Sequence, residues 1–232
     1  VSTIVPAFQI NDLPFLYSDN AHAHRVLDGE VGQALFAQLA EKKIVGLGFA
    51  EAGFRHAINN VRPINTPDDM ARLRLRVQPS ELFLEAFRTI GANPVPMAWS
   101  DVFTAVQQGT VDGLEIPLAV IYANKYPEVT KYLSLTNHSY NALPLLLSER
   151  FYSRLSADEQ AKVRKAAANA IKRQRETVAA NEADILEKIK AAGMQVNAVE
   201  NLAAFREKAM PVYERARGTI GSDLIDKALS VE

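Results

Sequence analysis

From Ala157 to Ala192 the chain contains neither glycine nor proline and is rich in alanine. Ser156-Ala157-Asp158-Glu159 has the spacing of a capping box at its start, and Gly193 follows as a stop. Read as one helix, these roughly 36 residues span about 54 Å at 1.5 Å per residue. That length exceeds one small lobe and suits a helix that braces two, with Asn181 as the point where the run could break. The full length of 232 residues is compatible with one large α/β unit or with two modest lobes and a cleft between them.

Before this run, apolar strand-like stretches alternate with helix-like ones, which predicts an α/β fold with a largely parallel sheet. His22 to Leu39 carries Val26, Val31, Leu35 and Leu39 near helical spacing, and Lys43 to Phe49 follows as a short strand containing Gly46 and Gly48. Thr66-Pro67-Asp68-Asp69 opens a short helix, with a cap, a proline in the first turn and acids near the dipole. Leu73 to Val77 reads as a strand in which Arg74 and Arg76 share one face and Leu73, Leu75 and Val77 the other. Ser80 is expected to cap a helix ending at Gly91, with Leu82, Phe83, Ala86 and Phe87 inward. Asn93 to Met97 then leads to a helix capped by Ser100 and stopped at Gly109. Val111 to Ile116 is a further strand, Pro117 opens a helix towards Lys125, and Leu133 to Leu147 is mostly extended.

Composition narrows the function. Hydrophobic residues make up 48% and charged residues 23%, ordinary values for a globular chain, and no apolar run approaches the roughly 20 residues of a membrane span. The 26 basic and 27 acidic side chains nearly balance, without a basic cluster interleaved with aromatics, so nucleic acid is not an expected partner. The absence of cysteine excludes disulfides, thiolate metal sites and cysteine nucleophiles.

Enzymatic motifs are weak. There is no G-x-S-x-G elbow. His22 and His24 are two apart on a predicted helix and point in different directions, so a surface helix is favoured over a metal site. Gly46-x-Gly48 lacks the remaining glycine of a dinucleotide fingerprint. Asp112 and Glu115, three apart near a strand, face oppositely and read as structural. The arginines stand out: Arg55, Arg62, Arg74 and Arg76 lie within 22 residues. A guanidinium is always charged and its fork matches a carboxylate, although surface arginines often make only weak ion pairs. Arg76 sits near the carboxyl end of its strand, where open α/β sheets bind ligands.

Several segments, in order, resemble the TRAP-type extracytoplasmic solute receptors, the DctP family. They are Asp12-Leu13-Pro14-Phe15-Leu16, Gly53-Phe54-Arg55, Arg62-Pro63-Ile64 and Leu73-Arg74-Leu75-Arg76-Val77-Gln78. Downstream come Gly91-Ala92-Asn93-Pro94-Val95-Pro96-Met97, Val111-Asp112-Gly113-Leu114-Glu115-Ile116-Pro117-Leu118 and Thr136-Asn137-His138. The resemblance implies a two-lobed periplasmic-binding-protein-like α/β fold with crossing strands, a long bracing helix and one ligand in the cleft. Residues 1–50 would belong to lobe one, 51–135 mainly to lobe two with the crossing strands, and 136–232 to the return, the brace and the C-terminal helices. Family members usually begin with further strand-helix units, so roughly the first quarter is expected to lie outside this chain.

The same resemblance implies a periplasmic receptor, a monomer needing no metal or cofactor, that captures a small organic acid and delivers it to TRAP membrane subunits. Arg76 is similar to the arginine that binds the ligand carboxylate. Arg55 resembles a second polar contact, Trp99 an aromatic wall, and Asn137 and His138 a supporting segment in which His138 could equally be structural. Ile116 stands where relatives commonly have Asn and Leu114 where they often have Gln, changes that imply a more apolar wall. An enzyme acting on an organic acid, or a receptor feeding a sensor protein, is the alternative.

Overall fold

The computed structural model describes residues 1–231. After a 3-10 turn over Pro6–Asp12 come α1 (Asn20–Asp28), α2 (Glu30–Glu41), β1 (Ile44–Asn59), β2 (Arg74–Val77), α3 (Glu81–Ile90), β3 (Asn93–Pro96) and α4 (Trp99–Gln107). They are followed by β4 (Gly113–Pro117), α5 (Leu118–Ala123), β5 (Tyr132–Ser148), α6 (Glu149–Tyr152), α7 (Ala157–Ala191), β6 (Gln195–Ala198), α8 (Leu202–Ile220) and α9 (Ser222–Ser230). The strands form one sheet in the order β3-β2-β4-β1-β5-β6.

The sheet is mixed, which corrects the expectation of a largely parallel one. β2 runs parallel to β3 and β4, and β5 parallel to β6, but β1 is antiparallel to both β4 and β5. The reason lies in β1 and β5, 16 and 17 residues long. The strand expected to end at Phe49 continues to Asn59, because its glycines form irregularities within the strand instead of ending it. Register shifts occur between Gly46 and Gly48, between Glu51 and Gly53 and between Arg55 and Ala57. Gly48 and Gly53 take φ of 145° and 85°, backbone open to glycine at little cost. Likewise the single helix expected over His22 to Leu39 is two, broken at extended Gly29, where an added Cβ would lie 2.7 Å from the Arg25 carbonyl.

These long strands join two lobes. In lobe one, Ile10, Leu35, Leu39 and Ile225 pack around Phe49 of β1 and Tyr140 of β5. In lobe two, Leu75, Phe83 and Phe87 pack on Ala57, while Val102, Leu114, Tyr126 and Ile189 pack on Ile58 and Leu133. Helix α7 is unbroken for 35 residues, about 52 Å, and passes Asn181 without interruption. Its capping box is present, with Ser156 accepting from the Glu159 amide. Asp69 accepts from the Thr66 amide at 2.8 Å, and the short helix expected after Thr66 is a 3-10 turn, Pro67–Met70. Ser80 and Ser100 do not cap: α3 has no side-chain cap bond, and α4 begins one residue before Ser100.

Most of α7 is exposed, with only Ala167, Ile171 and Ile189 fully buried. Polar latches hold it to β1. The Gln174 amide accepts from the Glu51 N–H at 3.1 Å and donates to the Glu51 carbonyl at 2.6 Å. Arg175 donates to the Phe49 carbonyl at 3.0 Å and to Asp28 at 2.6 and 2.9 Å. The brace therefore grips β1 between its two glycine irregularities. Gln174→Ala keeps the helix but removes both bonds to Glu51, and should cost about 2 kcal/mol in urea unfolding; an unchanged midpoint and slope would show that the latch carries no stability.

Candidate functional site

Where β1 passes β4, Arg55 lies opposite Pro117 and His56 opposite Ile116. This brings Arg55 onto Glu115. Arg55 Nε donates to Glu115 Oε2 at 2.5 Å and Nη2 to Oε1 at 2.7 Å, with a further bond from Nη2 to the Glu115 carbonyl at 2.8 Å. Arg55 Nη1 donates to Asn141 Oδ1 at 3.0 Å, and the guanidinium lies over the Phe83 ring. His138 completes the cluster, with Nε2 3.0 Å from Glu115 Oε2 and Nδ1 2.7 Å from Thr136 Oγ1. Arg55, Glu115 and His138 are 6%, 0% and 3% exposed. Burial by itself would raise the Glu115 carboxyl, but Arg55 and His138 outweigh it and hold it at about 2. A bidentate, fully buried pair of this kind is neutral as a unit.

Arg76 is placed differently. Its strand lies between β3 and β4, and the side chain leaves the sheet near the strand's carboxyl end, pairing in register with Val95 and Leu114. Both Nε and Nη2 donate to one acceptor, the Met97 carbonyl, at 3.0 and 2.8 Å. The guanidinium carbon sits 5.6 Å from the centroid of the Trp99 ring. Arg76 is 4% exposed, yet it forms no ion pair among the described residues. Burial lowers its affinity for the proton, opposed in part by Glu115 and reinforced by Arg55, but a guanidinium remains charged at neutral pH. A buried cation whose direct partners are a carbonyl dipole and a ring face has its charge unmatched by any direct ion pair.

The other predicted residues divide. Trp99 opens α4 with 43% of its surface exposed and stands 6.0 Å from the Tyr126 ring, so it is a wall over Arg76 and not a core aromatic. Ile116 is buried among lobe-two hydrophobics. His138 is fully engaged by Glu115 and Thr136. Asn137 beside it is exposed at φ 45° and donates its amide towards His56 Nδ1 at 3.5 Å. The fork of Arg55 is closed on Glu115, which leaves only one remaining Nη1 direction for anything else. Arg74 shares the face of Arg76 but is exposed and paired with Asp112 at 2.6 Å. Asp112 and Glu115 thus take separate partners, as their odd spacing required.

The helix carrying His22 and His24 is less superficial than its pattern suggested. His22 Nδ1 accepts from the Ser18 amide, while His24 reaches the buried Glu51 at 2.5 Å. Sequence reasoning passed over Asp12, Gln78 and Asn141, which approach the cluster from three elements. Gln78 was detectable, because the alternation that carries Arg76 carries the residue two further on.

A buried bidentate pair near a buried arginine that forms no ion pair among the described residues is an arrangement suited to holding a small anion. The family described as "Bacterial extracellular solute-binding protein, family 7" matches residues 1–219. The chain belongs to this family of bacterial solute-binding proteins, the DctP family. It is 37% identical over 191 residues to the 2,3-diketo-L-gulonate-binding periplasmic protein of Escherichia coli, covering 82% of this chain and 58% of that protein. A TRAP periplasmic solute-binding protein from Polaromonas sp. JS666, solved bound to D-erythronate, superposes with a TM-score of 0.94 at 38% identity, over 100% of this chain and 76% of the other. One from Sulfurospirillum deleyianum, bound to succinate, gives 0.91 at 35% identity over 100% and 77%. These relatives are binding proteins, not enzymes.

His56 and Glu115 contribute acid sensitivity to the fold, while Asp12, whose carboxyl burial pushes up to about 7, contributes with the opposite sign as pH falls from about 7 to 4. Burial, reinforced by the charge of His138, holds His56 near 3, below its ordinary 6.5. The unfolded chain therefore binds that proton first, and stability falls as pH drops from about 6.5 towards 3. Glu115, depressed from 4.5 to about 2, contributes stability present above 4.5 and lost as pH falls towards 2. Acid unfolding followed by circular dichroism should show His56→Gln losing less stability than the wild type between about pH 6.5 and 4.5; a mutant loss identical to the wild type's over that range would contradict the assignment.

Proposed function

We propose that the chain is the ligand-capturing part of a periplasmic receptor that takes up a small organic acid and hands it to TRAP membrane subunits. The observation that carries this reading is the inequality of the two buried arginines: Arg55 is neutralised by Glu115, whereas Arg76 has no carboxylate partner among the described residues. A ligand carboxylate supplies the missing charge. Relatives of the family are periplasmic, and no helix among the described residues is long and apolar enough to cross a membrane.

In this reading Arg76 takes the carboxylate and Trp99 covers it. Arg55 and His138 act through Glu115, by keeping that acid away from Arg76. Asn137 sets the more distant wall, with Ile116 behind it in the hydrophobic core. Residues 1–50 serve lobe one, 51–135 mainly lobe two, and the remainder returns to lobe one with the brace. Closure of the lobes excludes water, which strengthens the ion pair while its remaining hydrogen bonds offset the desolvation cost. The receptor works as a monomer, and the acid leaves chemically unchanged.

Arg76→Ala should weaken binding of the acid by about 3–5 kcal/mol, the scale for removing one partner of a buried pair. Arg76→Lys should also bind poorly, because an ammonium does not reproduce the planar fork. Isothermal calorimetry measures both; wild-type affinity in the alanine variant would refute the role of Arg76, and full rescue by lysine would refute recognition by the fork.

A further inference from the structure

A tyrosine buried in a fold usually finds a partner for its hydroxyl. Four of the five buried tyrosines do: Tyr17 donates to Asn11 at 2.8 Å, Tyr140 to Glu51, Tyr152 to the Gln160 carbonyl at 3.5 Å and Tyr213 to the Pro14 carbonyl at 2.8 Å. Tyr126 is the fifth. It is 1% exposed, and its hydroxyl makes no hydrogen bond among the described residues. Nor is that hydroxyl one of the sealed polar atoms left unpaired among those residues, which lie on Asn20, His22, Glu51 and His56. The little surface that Tyr126 exposes therefore includes its hydroxyl.

The placement of this residue joins it to Arg76. The Tyr126 ring stands 6.0 Å from Trp99 and 5.6 Å from Phe103, and the Arg76 guanidinium lies 5.6 Å from the same Trp99 centroid, so one indole borders both the phenol and the cation. The two are near enough to act on each other's charge. Arg76 pulls the phenol down, burial outweighs it, and Tyr126 is pushed up to about 12. At neutral pH it is an O–H donor. Its backbone is firmly held: the carbonyl accepts from the Val129 and Thr130 amides at 3.0 and 2.8 Å and from Thr130 Oγ1 at 2.8 Å. The preceding Lys125 sits at φ 57°, a left-handed conformation costly for a lysine, and such strain gathers at ligand sites.

Arg76 also keeps donors in reserve. Nε and Nη2 are on the Met97 carbonyl, and Nη1 makes no hydrogen bond among the described residues. A carboxylate offers about four lone-pair sites, more than the open edge of one guanidinium fills. In a closed cleft the remaining sites need a donor.

We propose that Tyr126 is a ligand-binding residue whose hydroxyl donates to the carboxylate anchored by Arg76, so that guanidinium and phenol clamp one group beside Trp99. The proposal rests on the reading of Arg76 as the anchor and adds the second donor.

The test is Tyr126→Phe, which removes the hydroxyl and keeps the ring packing. Because that hydroxyl has no protein partner, the melting temperature of the ligand-free chain should be unchanged or higher. Affinity for the probe acids D-erythronate and succinate, followed through fluorescence of the single tryptophan, Trp99, should fall about tenfold or more, the scale of a hydrogen bond to a charged group. Both acids should lose by similar factors, since each presents a carboxylate to Arg76. Wild-type affinity in the variant, a loss confined to one of two acids that the wild type binds, or a lower melting temperature of the ligand-free variant overturns the proposal. If Arg76→Ala abolishes binding in that case, the anchor stands and only the role of Tyr126 is lost. Failure of the wild type to bind either acid sinks both.

Discussion

The site depends on the pairing of Glu115 with Arg55. Two buried arginines and one buried glutamate lie close enough to influence one another, and the geometry decides which cation keeps the acid. The β1–β4 register presents Arg55 so that its fork meets both carboxylate oxygens, and the same guanidinium also reaches the Glu115 carbonyl. His138, fixed by Thr136, supports the arrangement from β5. Were Glu115 turned to Arg76, the cleft would lose its unpaired positive charge. On the proposed reading, Glu115 leaves Arg76 available to a ligand by being occupied elsewhere.

The long strands make that pairing possible and link it to movement. Arg55 on β1 and His138 on β5 occupy the stretch in which both strands pass from one lobe to the other. Irregularities at Gly48 and Gly53 interrupt the pairing of β1 with β5 on the lobe-one side. Between them α7 clamps Phe49 and Glu51. Bending concentrated at glycine irregularities, with a rigid helix alongside, would move one lobe against the other while leaving the Arg55–Glu115 contact intact. Such a movement would keep the site's charge distribution the same and change its exposure to water.

Much of this was legible in the sequence. The capping box and the Gly- and Pro-free run located α7 to within a residue of its observed end, because local chemistry determines both ends of a helix. The position of Arg76 followed from alternation and the family resemblance together. What local reasoning missed is set by contacts across the chain. Gly46 and Gly48 looked like a strand end, but pairing with β5 carries the backbone through them. Ser80 looked like a cap, but its hydroxyl points to Asp12, 68 residues away. Glu115 was read as structural, but neither its partner nor the consequence for Arg76 could be read from spacing, since 60 residues separate Arg55 from Glu115.

A crystal structure of the chain with a bound organic acid tests the central claim most directly. The account predicts a carboxylate within hydrogen-bonding distance of the Arg76 guanidinium, beneath Trp99, with both Arg55–Glu115 contacts retained. A carboxylate seated on Arg55 with Glu115 displaced, or bound away from Arg76 altogether, would contradict it.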